Sequence, residues 1–403
     1  PVMSTAAAGA ERPILIAGAG IAGLTLALML ARTGREVTIL EKRTRVEEIG
    51  AGIQLSPNAS RVLLSLGLGQ ALARAAGEPE RLVVRRGIGA ARLAEMKLGK
   101  TMRERFGAPY YVVHRGDLQT ILLDAVRSLP QVRLVFGRSV VSADTEGNEA
   151  VVSVDAGAGP ETYRGSILVG ADGLWSRVAH AIGDHSEAEF SGYVAWRGLV
   201  PVEQAPQAFR KQETGLWLGP NAHVVHYPLR GGKLINVVAV ISDPNSEPGW
   251  SRPGDPAVFQ RRVRGWSPEL RSLFEAVGEW QVWSLFDRVP RERWVNGRVG
   301  LIGDAAHPLL PFLAQGGACA IEDAAILSAR IAASPGDLPG ALRAFETIRR
   351  PRASALQNAG RANGRIYHMP EPLALARDFV MRRIGGEGLM NRYAWLYEWT
   401  PTG

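Results

Sequence analysis

The sequence predicts an α/β fold, in which a strand–helix–strand layer is interrupted by β-rich insertions and followed by helices. The chain opens with an apolar strand at Pro13–Ala17, a helix at Ile21–Arg32 and a second strand at Glu36–Leu40. A β pattern then runs from Phe190 to Ser242, and helical periodicity prevails from Leu338 onward. This order predicts two packed domains, which also suits a chain of 403 residues.

Shorter patterns lie between these regions. They predict a helix from Asn58 to Leu66, strands and glycine-rich turns to Gly107, a helix at Gly116–Ser128, strands at Val132–Phe136, Val151–Val154 and Ser166–Val169, a surface loop at Asp243–Asp255, a buried strand at Val299–Ile302 and a helix from Gly316. We assign residues 10–81, 108–188 and 281–360 to a discontinuous nucleotide-binding domain. Residues 82–107 and 189–280 form an inserted β-sheet substrate domain in this division, and residues 361–403 form a C-terminal helical segment.

Composition and charge narrow the class of partner. The net charge is +8, but the arginines are spread over the whole chain. Nucleic-acid binding would need basic residues gathered on one stripe, so anionic small molecules are the better partners. The one cysteine, Cys319, excludes an internal disulfide and fits a reducing cytoplasm. Pro13–Ala31 is uncharged and 19 residues long, but regularly spaced glycines argue against a membrane helix; residues 1–10 are expected to be a disordered lead-in.

The first motif is a glycine-rich turn between the opening strand and helix. Gly18, Gly20 and Gly23 allow a tight turn, a close approach of a pyrophosphate and packing of the helix on the strand, and Ala22 lies among them. Phosphates bind at a helix N-terminus, where free N–H groups and the dipole favour negative charge. Glu41 ends the next strand, where an acid can accept from the hydroxyls of an adenosine ribose. The turn therefore predicts a dinucleotide site.

Two further motifs also follow apolar strands. Gly170-Ala171-Asp172-Gly173 is either an ordinary turn or a second contact with the nucleotide. In Gly303-Asp304-Ala305-Ala306-His307-Pro308, Asp304 stands at a strand end, where it can accept a hydrogen bond from a ribityl hydroxyl. Gly316 and Gly317 then begin a helix whose N–H groups can face an electron-rich ring.

These three motifs, in this order, resemble the single-component flavoprotein aromatic hydroxylases, which have the para-hydroxybenzoate hydroxylase fold. The segment 111–115 also looks like a family segment in which the arginine, here Arg115, contacts FAD. The resemblance covers about residues 12–360. Gly50–Gln54 and Gly303–Ala324 are most similar to the salicylate, 3-hydroxybenzoate and 6-hydroxynicotinate hydroxylases.

The resemblance implies a Rossmann-like FAD-binding domain and a monooxygenase activity. FAD would occupy the only dinucleotide motif, and NADH or NADPH would bind transiently as co-substrate; whether Arg43 and Arg45 attract its phosphate stays open. O₂ would be activated as a flavin hydroperoxide and transferred to a phenolic or hydroxypyridine carboxylate. Epoxidation and a non-catalytic flavin redox sensor are the alternatives. The sequence predicts no metal site, and either a monomer or a homodimer. The cofactor contacts expected are Gly18, Gly20, Ala22, Gly23, Glu41, Lys42, Arg115, Asp172, Asp304, Pro308, Gly316 and Gly317.

His223 and Tyr227 are the candidate catalytic pair. Residues four apart on a strand share a face, so both side chains can point into one cavity, while His226 points the other way. Histidine is suited to accept a phenolic proton near neutral pH, although an ordinary sheet face with a satisfied histidine is the competing interpretation. His307 is read as structural or flavin-side support. Comparison with the family suggests Gln54, Pro311 and Phe312 as substrate contacts. Trp196 and Trp217 are also expected to line the pocket, although a tryptophan in a sheet is more often part of a core.

Overall fold

The structure is a computed structural model that describes residues 12–45, 52–246, 249 and 251–401. The strands are β1 Ile14–Ala17, β2 Val37–Glu41, β3 Gly52–Leu55, β4 Arg81–Arg86, β5 Arg92–Lys97, β6 Tyr111–His114, β7 Val132–Phe136, β8 Ser139–Glu146, β9 Glu149–Asp155, β10 Pro160–Gly165, β11 Leu168–Gly170, β12 Glu189–Pro201, β13 Glu213–Gly219, β14 Ala222–Leu229, β15 Leu234–Ser242, β16 Arg252–Gly254, β17 Trp280–Asp287, β18 Val295–Asn296 and β19 Val299–Leu301. The helices are α1 Ile21–Arg32, α2 Pro57–Ser65, α3 Gly69–Ala75, α4 Gly99–Phe106, α5 Arg115–Arg127, α6 Val178–Ala181, α7 Pro256–Arg262, α8 Pro268–Glu275, α9 Gly316–Ala333, α10 Leu338–Tyr367 and α11 Leu373–Tyr397.

A six-stranded sheet forms the nucleotide-binding layer, in the order β18-β19-β11-β1-β2-β7. All neighbouring pairs are parallel except β18 with β19. Every residue of β1 is buried, as expected for a strand covered on both faces. The strands end at one edge of the sheet, and the three motifs found in the sequence follow β1, β11 and β19 at that edge.

An eight-stranded mixed sheet lies beside this layer, in the order β16-β17-β12-β15-β14-β13-β4-β5. The parallel pair of β4 with β13 joins residues 81–97 to residues 189–287. One face of the sheet packs with α7 and α8 around Phe259, Leu270 and Trp280 in a core of its own. The other face contributes to the main core and to the cavity described below.

Helix α11 closes the far edge of this sheet. The helix is interrupted at Gly385, which has φ 61° and ψ −166°. At the next residue, Gly386, a Cβ atom would lie 1.7 Å from the carbonyl oxygen of Glu95 in β5. Only glycine allows this approach, so α11 covers an edge strand that would otherwise expose unpaired backbone groups.

The α/β architecture predicted from the sequence is confirmed, and two local predictions are wrong. The stretch predicted as strands and turns up to Gly107 contains α3 and α4 as well; α4 buries only Met102 and Phe106, a stripe too short to stand out. The predicted loop Asp243–Asp255 ends in β16, which pairs with β17. The expectations for residues 1–10 and for Gly50 and Ala51 lie outside the described residues. Across the described ranges, no helix is long and apolar enough to cross a bilayer.

Candidate active site

The glycine turn after β1 is shaped by its neighbours. Gly18 has φ +106°, and a Cβ there would lie 2.4 Å from the carbonyl oxygen of Ala171. A Cβ on Gly23 would lie 2.0 Å from the carbonyl oxygen of Gly18. At Gly20, in contrast, the described residues place no neighbouring atom within 4 Å of the Cβ position. The outer glycines are therefore required by the packing of the protein itself, whereas Gly20 faces open space at the start of α1, where a pyrophosphate can approach.

Glu41 is held against this turn. Its Oε2 accepts a hydrogen bond from the Ala19 N–H at 2.7 Å, and its Oε1 accepts one from the Arg43 N–H at 2.9 Å. A carboxylate has further lone pairs, so both oxygens remain able to accept from ribose hydroxyls. The following residue, Lys42, is exposed.

The two acidic residues of the later motifs differ in surroundings. Asp172 accepts from Ser176 Oγ at 2.6 Å and from the Arg177 N–H at 2.8 Å. Burial nevertheless raises its pKa above the ordinary value, outweighing these hydrogen bonds. Asp172 therefore organises the turn that leads into α6. Asp304 is exposed, and within the described residues its carboxylate has no hydrogen-bond or ion-pair partner, which leaves it free for a ligand hydroxyl.

The third motif lies close to the first. A Cβ on Gly303 would lie 3.2 Å from the Cβ of Ala22 in α1. Gly316 begins α9, and no neighbouring atom of the described residues lies within 4 Å of its Cβ position. A Cβ on Gly317, in contrast, would lie 2.4 Å from Ile53 Cδ1. Pro308 is buried, and its carbonyl oxygen accepts from Gln357 Nε2 at 3.0 Å. The start of α9 is thus open to a ligand while its flanks are fixed.

A buried ionic cluster supports this motif from beneath. Asp323 accepts from the Gly303 N–H at 2.8 Å, contacts His307 Nε2 at 2.5 Å and pairs with Arg349 Nε at 2.8 Å. Glu322 pairs with Arg349 and Arg352, each at 2.7 Å. Burial opposes the positive charge of His307, but Asp323 and then Cys319 outweigh it, so the pKa of His307 is raised well above the ordinary value.

The same residues include a set with metal-ligand chemistry. Ligand atoms of His307, Cys319 and Asp323 all lie within 4.8 Å of one another. However, Arg349 Nη2 lies 3.3 Å from Cys319 Sγ, and the Arg349 guanidinium also pairs with Asp323. A cation at this point would be repelled by the guanidinium, so the arrangement fits a salt-bridge network better than a metal site.

A cavity lies between the eight-stranded sheet, the segment after β19 and the last two helices. It is lined by Gln54, Leu82, Val84, Met96, Tyr110, Thr214, Leu216, His223, Val225, Pro311, Phe312, Leu313, Ala314, Asn363, Tyr367, Met381, Leu389, Tyr393, Leu396 and Tyr397. These described lining residues include no arginine or lysine, and most are apolar or aromatic. Any ligand substituent would therefore be recognised by neutral polar groups.

His223 is the titratable group of this cavity best placed for proton transfer. It is buried on β14, with its ring 5.5 Å from that of Phe312. Burial, and next the nearby His368, lower its pKa well below the ordinary value, so the imidazole is neutral at pH 7. His226 points to the opposite face, where its ring lies 4.9 Å from that of Phe209.

Tyr227 is buried on the same strand but does not line the cavity. Its ring lies against Gly52, where a Cβ would come within 2.4 Å of Tyr227 Cε2. Burial raises its pKa, an effect that Arg197 partly opposes. The expected pair is therefore divided, since His223 faces the cavity and Tyr227 packs beside β3.

Among the expected substrate contacts, Gln54, Pro311 and Phe312 line the cavity. Gln54 Oε1 accepts from the hydroxyl of Tyr110 at 2.7 Å. Thr214 is fully buried, and its hydroxyl has no hydrogen-bond partner in the part of the chain that the structure describes. This unpaired hydroxyl is available for a polar ring substituent.

The two tryptophans lie elsewhere, and here the expectation needs correction. Trp196 packs on Phe259 and Trp280, and Trp217 packs beside Phe209 in the second core. Both lie on the face of the sheet that is turned away from the cavity, because strand residues alternate in direction. They stabilise the sheet and take no part in the proposed pocket.

A half-buried cation, Arg197, lies at the junction between the eight-stranded sheet and the cofactor layer. Arg197 lies over the Trp283 ring at 5.4 Å, and its Nε has no partner among the described residues. Burial, then repulsion from Arg115, lowers its pKa to about 10. Nearby, Asn236 accepts from the Gly52 N–H at 3.0 Å, but within the described ranges its amide nitrogen has no partner. Unsatisfied donors of this kind fit a bound anionic group with carbonyl oxygens.

Several residues escaped the sequence analysis: Tyr110, Thr214, Asn363 and Tyr367 line the cavity, and His368 contacts His223. Tyr110 directly precedes the segment 111–115, which did attract attention, so extending that motif would have found it. The others come from β13 and from the end of α10. Only tertiary packing brings them to the cavity, and no local pattern marks them.

Comparison with known proteins places this geometry in a family. The family model described as an FAD binding domain matches residues 11–359. The chain belongs to this FAD-binding family. It is 37% identical over 399 residues to 3-amino-4-hydroxybenzoate 2-monooxygenase PtmB3 of Streptomyces platensis, covering 98% of both chains. It is 34% identical over 392 residues to 3-hydroxybenzoate 6-hydroxylase of Polaromonas naphthalenivorans (strain CJ2), covering 97% of this chain and 96% of the relative.

A solved structure of a salicylate hydroxylase substrate complex superimposes with a TM-score of 0.83 at 25% identity, covering 97% of this chain and 96% of that one. Members of the family bind FAD, and the residues present here fit that cofactor. The open position at Gly20, the carboxylate of Asp304, which no described residue engages, and the open start of α9 at Gly316 lie around the same sheet edge. The resemblance to flavoprotein aromatic hydroxylases that the motifs suggested is confirmed.

Proposed function

We propose that this chain is an FAD-dependent monooxygenase that uses NADH or NADPH and O₂ to hydroxylate a phenolic aromatic carboxylate. The observation that carries the proposal is His223, a buried neutral imidazole that faces a mostly apolar cavity within an FAD-binding fold. Curated relatives that match nearly the whole chain are named for hydroxylation of aminohydroxybenzoate and hydroxybenzoate.

Bound FAD would supply the oxidation of the nicotinamide cofactor and the activation of O₂. Gly20, Glu41, Asp304 and the start of α9 would hold it. Arg115, Asp172 and Pro308 belong to the same proposed surroundings, Arg115 as a positive charge and the other two as supports for their turns.

Residues of the cavity would bind the substrate, accept its proton and exclude water. The free nitrogen of His223 would accept the proton of the ring hydroxyl as negative charge develops on the ring, a role that contributes about 10²–10⁴-fold in rate. The hydroxyl groups of Tyr110 and Thr214 would hold the other polar substituents. Pro311 and Phe312 would exclude water from the reacting carbon. Tyr227, which packs behind the cavity near Arg197, would support the position of β14.

The proposals for cellular location, oligomeric state and partners rest on features of the whole chain. A single buried cysteine, Cys319, suits a cytoplasmic enzyme. The chain is proposed to act as a monomer or homodimer and to bind small molecules without nucleic acid or membrane.

The test is oxidation of NADH and NADPH by the FAD-loaded protein, with 3-hydroxybenzoate, salicylate and 3-amino-4-hydroxybenzoate as substrates. Benzoate, which lacks the hydroxyl group, is the control ligand. We expect at least a tenfold stimulation by one phenol, with a product one oxygen heavier by mass spectrometry. Stimulation without a heavier product, or ligand-independent oxidation that yields only peroxide, would contradict the proposal and favour other flavin chemistry or a sensor.

The His223→Gln variant tests the base. It should keep its FAD but lose at least tenfold in product formed per NAD(P)H oxidised, because glutamine cannot take a proton. His226→Gln, three residues along the same strand on the opposite face, is the matched control and should behave as the wild type. Full product formation by His223→Gln would remove this residue from the mechanism.

A further inference from the structure

The residue behind His223 is a second buried histidine. His368 follows directly on α10, and its Nε2 lies 2.8 Å from Nδ1 of His223. Its backbone carbonyl accepts from the Asn221 N–H at 3.2 Å, which ties this turn to the sheet beside β14. The two imidazoles come from positions 145 residues apart in the chain, so only folding brings them into contact.

The hydrogen bond between the two histidines determines which ring nitrogen of His223 is left to face the cavity. Because Nδ1 is engaged by His368, Nε2 is the nitrogen left for a ligand in the cavity. In a neutral pair, one of the two facing nitrogens carries a proton and the other accepts it. If Nδ1 of His223 donates, its Nε2 is unprotonated and presents a lone pair to the cavity, as a base requires.

We propose that His368 is a positioning residue, which holds Nε2 of His223 ready to accept the phenolic proton and takes over the charge that this transfer creates. This inference rests on the proposed function, since it gives His223 a proton to accept. The phenol O–H bond breaks as a bond forms to Nε2 of His223. The proton on Nδ1 of His223 then passes to Nε2 of His368, which leaves a phenolate, a neutral His223 and a protonated His368.

The environment of His368 keeps its imidazole neutral before the exchange. Nδ1 of His368 is buried and has no partner in the described part of the chain, so no other protein group there fixes the tautomer of His368. The tautomer of the histidine pair therefore depends on the ligand that contacts His223. Burial, and after it Arg377, lower the pKa of His368 to about 4. The pKa of His223, which is more deeply buried, is lowered by burial and then by His368.

The groups that face the pair come from every packed element. They are Tyr193 on β12, Phe312 after β19, Tyr367 on α10 and Arg377 on α11, whose charge is paired with Asp378 at 2.8 Å. None of them is an acid in direct contact with either imidazole. A charge on the pair is therefore stabilised chiefly by the phenolate formed beside it, so that proton transfer is coupled to binding of a phenol.

The test follows ionisation of a bound phenol, and it needs no turnover. The ligand is 4-hydroxy-3-nitrobenzoate, whose phenolate absorbs visible light, bound to the FAD-loaded wild type and to the His368→Gln, His368→Leu and His226→Gln variants. Glutamine keeps a hydrogen-bonding partner for His223 but cannot take up the proton, whereas leucine removes both. The readout is the pH at which the bound ligand becomes a phenolate.

We expect both His368 variants to raise this apparent pKa by about one unit, which corresponds to a tenfold loss in the ionisation equilibrium. The His226→Gln control should leave it unchanged, and FAD content checks that each variant is folded. A wild-type value for His368→Gln with a shift only for His368→Leu would show that His368 merely orients its neighbour, and would overturn the proposal. No shift in either variant, or no binding of the phenol by the wild type, would overturn it as well.

The result is independent of the oxygenation assay. A wild type that binds and ionises the nitrophenol but forms no oxygenated product from any substrate would refute the proposed function while the titration still decides the role of His368. A wild type that forms the oxygenated product, together with His368 variants whose bound phenol ionises at the wild-type pH, would support the proposed function and refute the role of His368.

Discussion

Replacement of Arg349 by methionine should expose the energetic importance of the buried ionic cluster. Arg349 is 1% exposed and pairs with Asp323 at 2.8 Å and with Glu322 at 2.7 Å. Removal of one partner from a buried pair leaves uncompensated charge and costs about 3–5 kcal/mol. Here Glu322 keeps Arg352, and Asp323 keeps His307, so we expect the loss to lie near the lower end, at about 3 kcal/mol.

The assay is equilibrium urea unfolding followed by tryptophan fluorescence, with and without added FAD. Arg343→Met is the matched control, because Arg343 is an exposed residue of the same helix and its removal should cost less than about 0.5 kcal/mol. A cost of Arg349→Met no larger than that of the control would refute the reasoning and would mean that the cluster relaxes around the missing charge. Since Asp323 also binds the Gly303 N–H, the variant should lose FAD more readily than the control.

Three further outcomes follow from the site. Asp304→Ala should weaken FAD binding by about 10–100-fold, the equivalent of one hydrogen bond to a charged group, as measured by fluorescence of released flavin; unchanged affinity would count against the cofactor placement. Gly18→Ala should destabilise the protein even without FAD, because Gly18 has a positive φ and lies close to the Ala171 carbonyl. Gly20→Ala should leave the stability of the FAD-free protein unchanged and weaken only FAD binding. Equal melting temperatures of the two FAD-free variants would contradict this difference. The pKa of His307 is raised in the folded state, so its contribution to stability is complete below about pH 6.5 and is lost as the pH rises through the folded-state pKa. Between these two pKa values the free energy of unfolding should fall by up to about 1.4 kcal/mol per pH unit. His307→Gln should abolish this slope in urea unfolding measured across the same pH range.

Much of the cofactor layer can be predicted from the sequence, because its signals are local. The glycine turn begins directly after β1, Glu41 is the last residue of β2, and Asp304 lies three residues after the end of β19. The ends of parallel strands meet at one edge of a sheet. Their positions in the chain therefore determine their positions in space. The structure adds what spacing cannot give, namely that Asp172 is engaged by its own turn, while no described residue pairs with Asp304.

The cavity is harder to predict, because its walls come from distant segments. Alternation along β14 correctly indicated that His223 and His226 face opposite ways. It could not show which face of the sheet meets the cavity, and so Trp196 and Trp217 were placed on the wrong side. The role of His368 depends on a turn after a 30-residue helix, and nothing in its immediate sequence marks it.

The position of α11 has a consequence for how the protein is made. This helix, the last in the described chain, supplies Met381, Leu389, Tyr393 and Leu396 to the cavity and covers the edge of β5 near Gly386. Domains fold from the N-terminus onward during synthesis, so the nucleotide-binding turn can form long before this wall exists. A nascent or truncated chain would hold a cofactor-binding surface beside an open pocket and a bare strand edge, a form prone to association with other chains. Synthesis and docking of α11 is thus the step that encloses the cavity.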